Sequence, residues 1–233
     1  MKASWPHKDI QSWYDTLGAQ WGHNYASGDI HFKQRIYNVH LLTKELGENA
    51  EILDVGCATG EITDSLHLRF KCKAVGIDIS NKMVDYCNSK FKDSNVSFEG
   101  GNILSLQFSD NRFDLIVTLS VIEWIDNFEK AIAEMARVLK PGGQCIVSLP
   151  NWGSVTRKAE YLKSLCTSHS YLKYQKNRIA IYELCRTAES YGLEVNDKLY
   201  HVMPFYSSNL KGLLGTLFGA MCFVSFSKKD DVG

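Results

Sequence analysis

The chain has 233 residues, 45% of them hydrophobic, and a formal net charge of zero. That composition supports one packed domain and argues against global disorder. Charge balance excludes a whole-molecule field for nucleic acid or an anionic membrane, so any charge-based recognition has to be local.

Seven cysteines, an odd number with no C-x-x-C pair, argue against a disulfide framework and a zinc site, and for a reducing cytoplasm. Residues 1–10 contain no apolar run, so no signal peptide is expected. The aromatic segment 13–25 precedes the first strand and reads as a partly helical lid within an N-terminal region, 1–45. Residues 51–55 read as a buried strand. A helix over 60–70, a strand over 73–77 and a helix over 80–91, with Ser80 as its N-cap, follow. A short strand is expected at 96–98, and 113–119 is the most strand-like run. Phe128, Ile132, Met135 and Leu139 have helical spacing, which Pro141-Gly142-Gly143 stops. A fifth strand is expected at 145–149, closing a core of 51–150.

Residues 151–178 are polar, aromatic and basic, and look like an insertion. A C-terminal region, 179–233, then gives a helix over 179–190, a strand over 193–202, a Leu- and Gly-rich linker over 204–220 and a final strand over 221–226. The longest apolar stretch, 212–226, is broken by Gly and Ser. It is also shorter than the roughly 20 residues of a membrane helix, so no stable membrane insertion is expected. Alternating strands and helices predict a single α/β domain with a mainly parallel sheet.

The strongest local signal is Ile52-Leu53-Asp54-Val55-Gly56-Cys57-Ala58-Thr59-Gly60. An apolar strand enters a turn with small residues at alternate positions, and a helix begins at once. Small residues let a ligand approach the backbone, and the helix start offers free N–H groups. Asp78 ends the second strand 18 residues after Gly60, where a carboxylate can accept both hydroxyls of a ribose. Together these imply a nucleoside cofactor. Asp54, two residues before Gly56, would repel a pyrophosphate but attract an ammonium or sulfonium. The sign of that charge favours S-adenosylmethionine over NAD, which would also call for G-x-G-x-x-G.

Residues 52–63 resemble motif I of the class I S-adenosylmethionine-dependent methyltransferases, and 75–80 resemble their acidic loop. Gly101-Asn102-Ile103, Ser120-Val121-Ile122-Glu123-Trp124 and the run 136–143 are similar to later segments of that family, closest to the branch containing the quinone-biosynthesis methyltransferases. The resemblance implies a Rossmann-like, doubly wound sheet of about seven strands, mainly parallel with an antiparallel last strand, helices on both faces, a lid and a cap. It implies Asp54, Gly56 and Gly60 around the methionine moiety, with Cys57 and Ala58 in the same turn. It also implies Asp78 on the ribose, Ile79 and Met83 on the adenosine, Asn102 and Ile103 at the adenine, Leu119 near the ammonium, and Tyr14 and Trp21 closing the site. The product would be S-adenosylhomocysteine. Ile79, Met83, Tyr14 and Trp21 also fit an ordinary core or covering role.

Three departures stand out: Ala58 replaces the middle glycine, Asn102 an Asp, and Trp124 a frequent His. The last removes an obvious general base, leaving His169, His201, a tyrosine or an already ionised acceptor. The insertion carries six cations, Arg157, Lys158, Lys163, Lys173, Lys176 and Arg178, against one acid, Glu160. Trp152, Tyr161, Tyr171 and Tyr174 are interleaved. The functional reading is a cap over a small anionic or aromatic acceptor, with Trp124, Arg157, Lys158, Tyr161, His169, Tyr171 and Arg178 as its contacts; the competing reading is a solvated helical surface. No nucleic-acid partner and no metal are expected. The expected activity is methyl transfer to a small molecule, O-methylation being favoured, with an NAD-dependent oxidoreductase or a non-catalytic cofactor-binding module as the alternatives.

Overall fold

The structure, a computed structural model, describes residues 11–12, 14–15, 30–92, 95–166, 175–201 and 209–230. Eight strands form one sheet in the order β3-β2-β1-β4-β5-β8-β6-β7. Strands β1 (Glu51–Val55), β2 (Lys73–Asp78), β3 (Val96–Gly100), β4 (Phe113–Leu119) and β5 (Leu139–Pro150) run parallel. β8 (Met221–Lys228) lies antiparallel between β5 and β6 (Leu193–His201), and β7 (Asn209–Leu210) is a two-residue edge. This is the expected mainly parallel sheet with an antiparallel last strand; the eighth strand is too short to leave a sequence pattern.

Side chains alternate across each strand. Ile52, Leu115, Val117, Ile146 and Phe223 enter one core, shared with α1 (Ile30–Leu42), α2 (Glu61–Phe70) and α3 (Asn81–Lys90). Leu53, Ile116, Val147 and Val224 enter the other, beneath α4 (Phe128–Val138) and α6 (Ile181–Ser190). Burial on both faces explains why these strands read as unbroken apolar runs. β1 pairs with β2 on one side and β4 on the other. The strand order reverses there, which opens a crevice at the carboxyl ends of the strands.

Two boundaries differ from expectation. β5 begins at Leu139, not at Cys145, because Leu139 already pairs with Phe113; the ladder then shifts register before Leu115 meets Gln144. Gly142, at φ 70, turns the chain inside that irregularity. The segment 204–220, expected as a linker, contains β7 and the helix α7 (Gly212–Phe218), whose glycines masked its helical pattern. The insertion contains α5 (Val155–Leu165). Ser154 caps α5, its hydroxyl accepting from the Arg157 N–H at 3.0 Å. Neither α5 nor α7 contributes to either core; they pack on each other.

Arg137 explains the run 136–143 in physical terms. Its guanidinium donates to the carbonyls of Leu106 and Phe108 and pairs with Asp110 and Glu134. It therefore ties α4 to the loop that follows β3.

Candidate active site

The turn leaving β1 is left-handed at every second residue: Gly56 (φ 76), Ala58 (φ 47) and Gly60 (φ 81). This is the physical reason for small residues at alternate positions. The left-handed region costs a residue with a Cβ roughly 1–2 kcal/mol, and only Ala58 carries that cost. A Cβ on Gly56 would stand 2.3 Å from Val121 Cγ2, and one on Gly60 2.8 Å from the rings of Phe91 and Phe98. The chain leaving β4 is therefore packed directly on this turn.

Asp78 holds this turn in shape. Its Oδ2 accepts from the Ala58 N–H at 3.0 Å and its Oδ1 from the Ser80 N–H at 2.9 Å. Each oxygen keeps a second lone pair for a ribose hydroxyl. Burial pushes its pKa up, the backbone hydrogen bonds oppose that, and Asp15 adds to the rise. Ser80 is the predicted N-cap of α3, accepting from the Met83 N–H at 3.3 Å, and donates its hydroxyl to Asp15 Oδ1 at 2.5 Å. Residues 11, 12, 14 and 15 are helical. The Asp15 contact brings this N-terminal segment against the carboxyl end of β2, where a lid was expected, and half-buried Tyr14 belongs to it.

Asp54 is buried at the end of β1 and accepts from Thr63 Oγ1 at 2.6 Å. Burial pushes its pKa up to about 7, with Asp78 adding to the rise. A cationic ligand would restore its charge. Thr63, on α2, is a partner that nothing in the sequence pattern singles out. Cys57 and Cys87 are buried beside the turn; the Cys87 thiol donates to the Ala58 carbonyl at 3.1 Å. A hydrogen bond with Cys87, and then burial, raises the Cys57 thiol. Met83 is fully buried and Ile79 half-buried. Ile103 is buried, whereas Asn102 is exposed and its Oδ1 accepts from the Leu104 N–H at 2.9 Å, so one lone pair of the amide oxygen is already engaged.

At the other side of the crevice, Leu119 ends β4 opposite Ser148, and Ser120 follows with φ 58. Thr118 Oγ1, Ser120 Oγ, Ser148 Oγ, Glu123 Oε2, Trp152 Nε1 and the Gln175 amide are buried without a hydrogen-bond partner among the described residues. Buried polar groups are ordinarily paired, and here they collect at the carboxyl ends of β4 and β5. Orphaned polar atoms beside a left-handed turn and two buried carboxyls are the environment a zwitterionic, hydroxyl-bearing ligand such as S-adenosylmethionine fits.

Glu123 carries no sequence pattern that marks it as a site residue. It lies in the 3-10 turn Ile122–Trp124, is buried, and has its pKa pushed up to about 7 by burial, against the charges of Arg35 and Arg157. Its carbonyl accepts from the N–H groups of Lys176 and Asn177, which clamp the turn. The neighbouring Trp124 is buried too.

The insertion behaves differently from its sequence. Arg157, expected to face an acceptor, is 1% exposed. Its guanidinium donates to the Ala220 carbonyl at 2.7 Å and pairs with Glu160 at 2.9 Å, joining α5 to the start of β8. Arg178 lies over the rings of Tyr161 and Trp152, 4.4 and 5.1 Å from their centroids. Lys158 is exposed, Lys176 pairs with Asp126, and His201 is buried at the end of β6. Trp21, His169 and Tyr171 lie outside the described residues. Among the described residues no cluster of His, Cys, Asp or Glu is placed to hold a metal.

Comparison with known proteins agrees with this geometry. Residues 53–147 match the family model described as Methyltransferase domain. A sterol 4-C-methyltransferase of Caenorhabditis elegans is 27% identical over 60% of this chain and 47% of its own length. A demethylmenaquinone methyltransferase of Listeria welshimeri is 31% identical over 54% and 57%. The chain thus spans about half the length of the curated relatives it matches. A methyltransferase structure from Thermotoga maritima superposes with a TM-score of 0.74 at 19% identity, covering 94% of this chain and 99% of that one. Residues 53–147 are thus similar to a methyltransferase domain, and the fold as a whole is like that of a methyltransferase structure.

Proposed function

We propose that the chain transfers a methyl group from S-adenosylmethionine to an O–H group of a small molecule. The observation that carries this reading is the pairing of the strained Gly56–Gly60 turn, pinned by Asp78, with the buried and unpartnered Glu123 Oε2 across the crevice. The cofactor supplies a methyl group made electrophilic by its sulfonium. Asp78 would hold the ribose and Asp54 the ammonium. With the donor so activated, most of the rate enhancement can come from orientation and exclusion of water. Glu123 Oε2 would accept the proton that the acceptor oxygen loses as it takes the methyl group, then return it to water. A carboxyl near 7 is matched to that task. Glu123 also supplies the base that Trp124 seemed to remove, so the acceptor need not arrive ionised. Arg157 is committed to Ala220 and Glu160, which weakens the case for an anionic acceptor; Trp152 and Tyr161 keep the case for an aromatic one.

The test is incubation of the protein with methyl-labelled S-adenosylmethionine and a metabolite extract, read by mass spectrometry. Labelled product and S-adenosylhomocysteine should appear together and fall about 100-fold or more in Glu123→Gln. Labelled product undiminished in that variant would remove Glu123 from the chemistry. Cofactor bound with no labelled product from any extract would favour a binding module.

A further inference from the structure

We propose that the outer face of α5 and α7 docks on an anionic bilayer surface. α5 exposes Val155, Leu162 and Leu165, and α7 exposes Leu213, Leu214, Leu217 and Phe218. These are seven of the twelve large apolar side chains exposed among the described residues, Leu213 at 74% and Leu162 at 64%. Singly scattered apolar residues need no explanation, but a collection on two touching helices does. Val155 and Leu162 are seven residues apart and share a helix face. Leu213, Leu214, Leu217 and Phe218 follow the i, i+1, i+4, i+5 spacing of a single stripe.

The charges around this face select its occupant. α5 exposes Lys158 and Lys163, and its one acid, Glu160, is neutralised by buried Arg157. α7 contains no acid, and Lys211 stands at its start, paired with Asp197. Of the cations in the segment 151–178, Lys158 and Lys163 are the ones exposed on α5; Arg157 is buried on Glu160, Lys176 pairs with Asp126 and Arg178 lies over Tyr161 and Trp152. An apolar stripe flanked by lysines is the pattern of a helix that lies in the headgroup region of an anionic membrane. No helix among the described residues is long and apolar enough to cross one. The Asn151 side chain donates to the carbonyls of Thr216 and Gly219, both at 3.0 Å, tying α7 to the carboxyl end of β5. Docking would therefore turn the Glu123 side of the crevice toward the bilayer, and the acceptor it favours is an apolar one that partitions into lipid. The surface itself stands independently of the methyl-transfer reading.

The experiment is co-sedimentation of the full chain, without cofactor, with vesicles of phosphatidylcholine alone or mixed equally with phosphatidylglycerol. Wild type should bind the anionic vesicles about ten-fold more tightly, and added salt should weaken that binding. Leu213→Gln with Leu217→Gln should reduce it about ten-fold, and Lys158→Glu with Lys163→Glu should remove the preference for anionic lipid. All four side chains are solvent-facing, so circular dichroism and thermal melting should match wild type; Leu213→Ser alone serves if the double variant melts early. Equal binding to both vesicle types, or wild-type binding by the leucine variants, overturns the proposal. So does a dimer in sedimentation equilibrium that the same leucine variants dissolve, which would assign the face to a second copy of the chain.

Discussion

The two sides of the crevice are built on different principles. The β1–α2–β2–α3 side is specified by backbone conformation: Gly56, Ala58 and Gly60 are needed because the turn is left-handed there, and Asp78 because two N–H groups need an acceptor. The β4–β5 side is specified by side chains brought together from distant segments: Glu123, Ser148, Trp152, Arg157 and Gln175. The first kind of site tolerates little substitution. The second can change its acceptor while keeping its frame.

The sharpest way to break this comparison is Gly56→Ala. The new Cβ meets Val121 Cγ2 and demands a left-handed alanine. The expected cost is about 3 kcal/mol, from overpacking and strain together. Chemical denaturation should show it, and Val121→Ala in the same chain should restore the packing share. A similar loss is expected on the other side from Arg157→Ala, about 3 kcal/mol, because a buried guanidinium pairs two segments. There the contrast is functional: S-adenosylhomocysteine affinity should hold while the melting temperature falls. A selective loss of acceptor binding at unchanged stability would return Arg157 to the acceptor.

Both sides contain a carboxyl near 7, and both respond to pH in the same direction. Asp54 and Glu123 stand at about 7 against ordinary values of 3.8 and 4.5. The folded state therefore keeps protons that the unfolded chain releases. Stability from these two groups is full below about pH 4, declines as pH rises through 7 and is lost above it, by at most about 4 kcal/mol each. Asp54→Asn and Glu123→Gln should each flatten part of that decline. Cofactor affinity should move oppositely, rising through 7 as Asp54 ionises beside the ligand's ammonium. A flat stability profile between pH 5 and 8 would show that both groups are ionised throughout. The smallest expected effect is Ala58→Gly, a gain of about 1 kcal/mol or less, since relief at φ 47 is offset by a freer unfolded chain.

The same contrast explains what the sequence made legible. Strand β4, the Ser80 cap and the Gly56–Gly60 turn could be read because each depends on residues adjacent in the chain. Glu123 and Thr63 could not, since their meaning lies in partners or missing partners. Arg157 is illegible for the same reason: its charge reads as an acceptor contact or a solvated surface, whereas the Ala220 carbonyl makes it a buried tie. The glycines of α7 hide its helical pattern, and Pro141 and Gly142 mark a register shift that reads as a simple turn, so the start of β5 is not visible in the sequence.

The central claim is that the strained turn and Asp78 form a site for S-adenosylmethionine. Calorimetric titration of the wild type and of Asp78→Ala with S-adenosylhomocysteine and with NAD tests it most directly. S-adenosylhomocysteine should bind wild type, and the variant should lose about 2–4 kcal/mol, because a charge-assisted contact disappears and the turn loses its acceptor; NAD should give no heat. NAD binding without S-adenosylhomocysteine binding, or equal S-adenosylhomocysteine affinity in the variant, would contradict it.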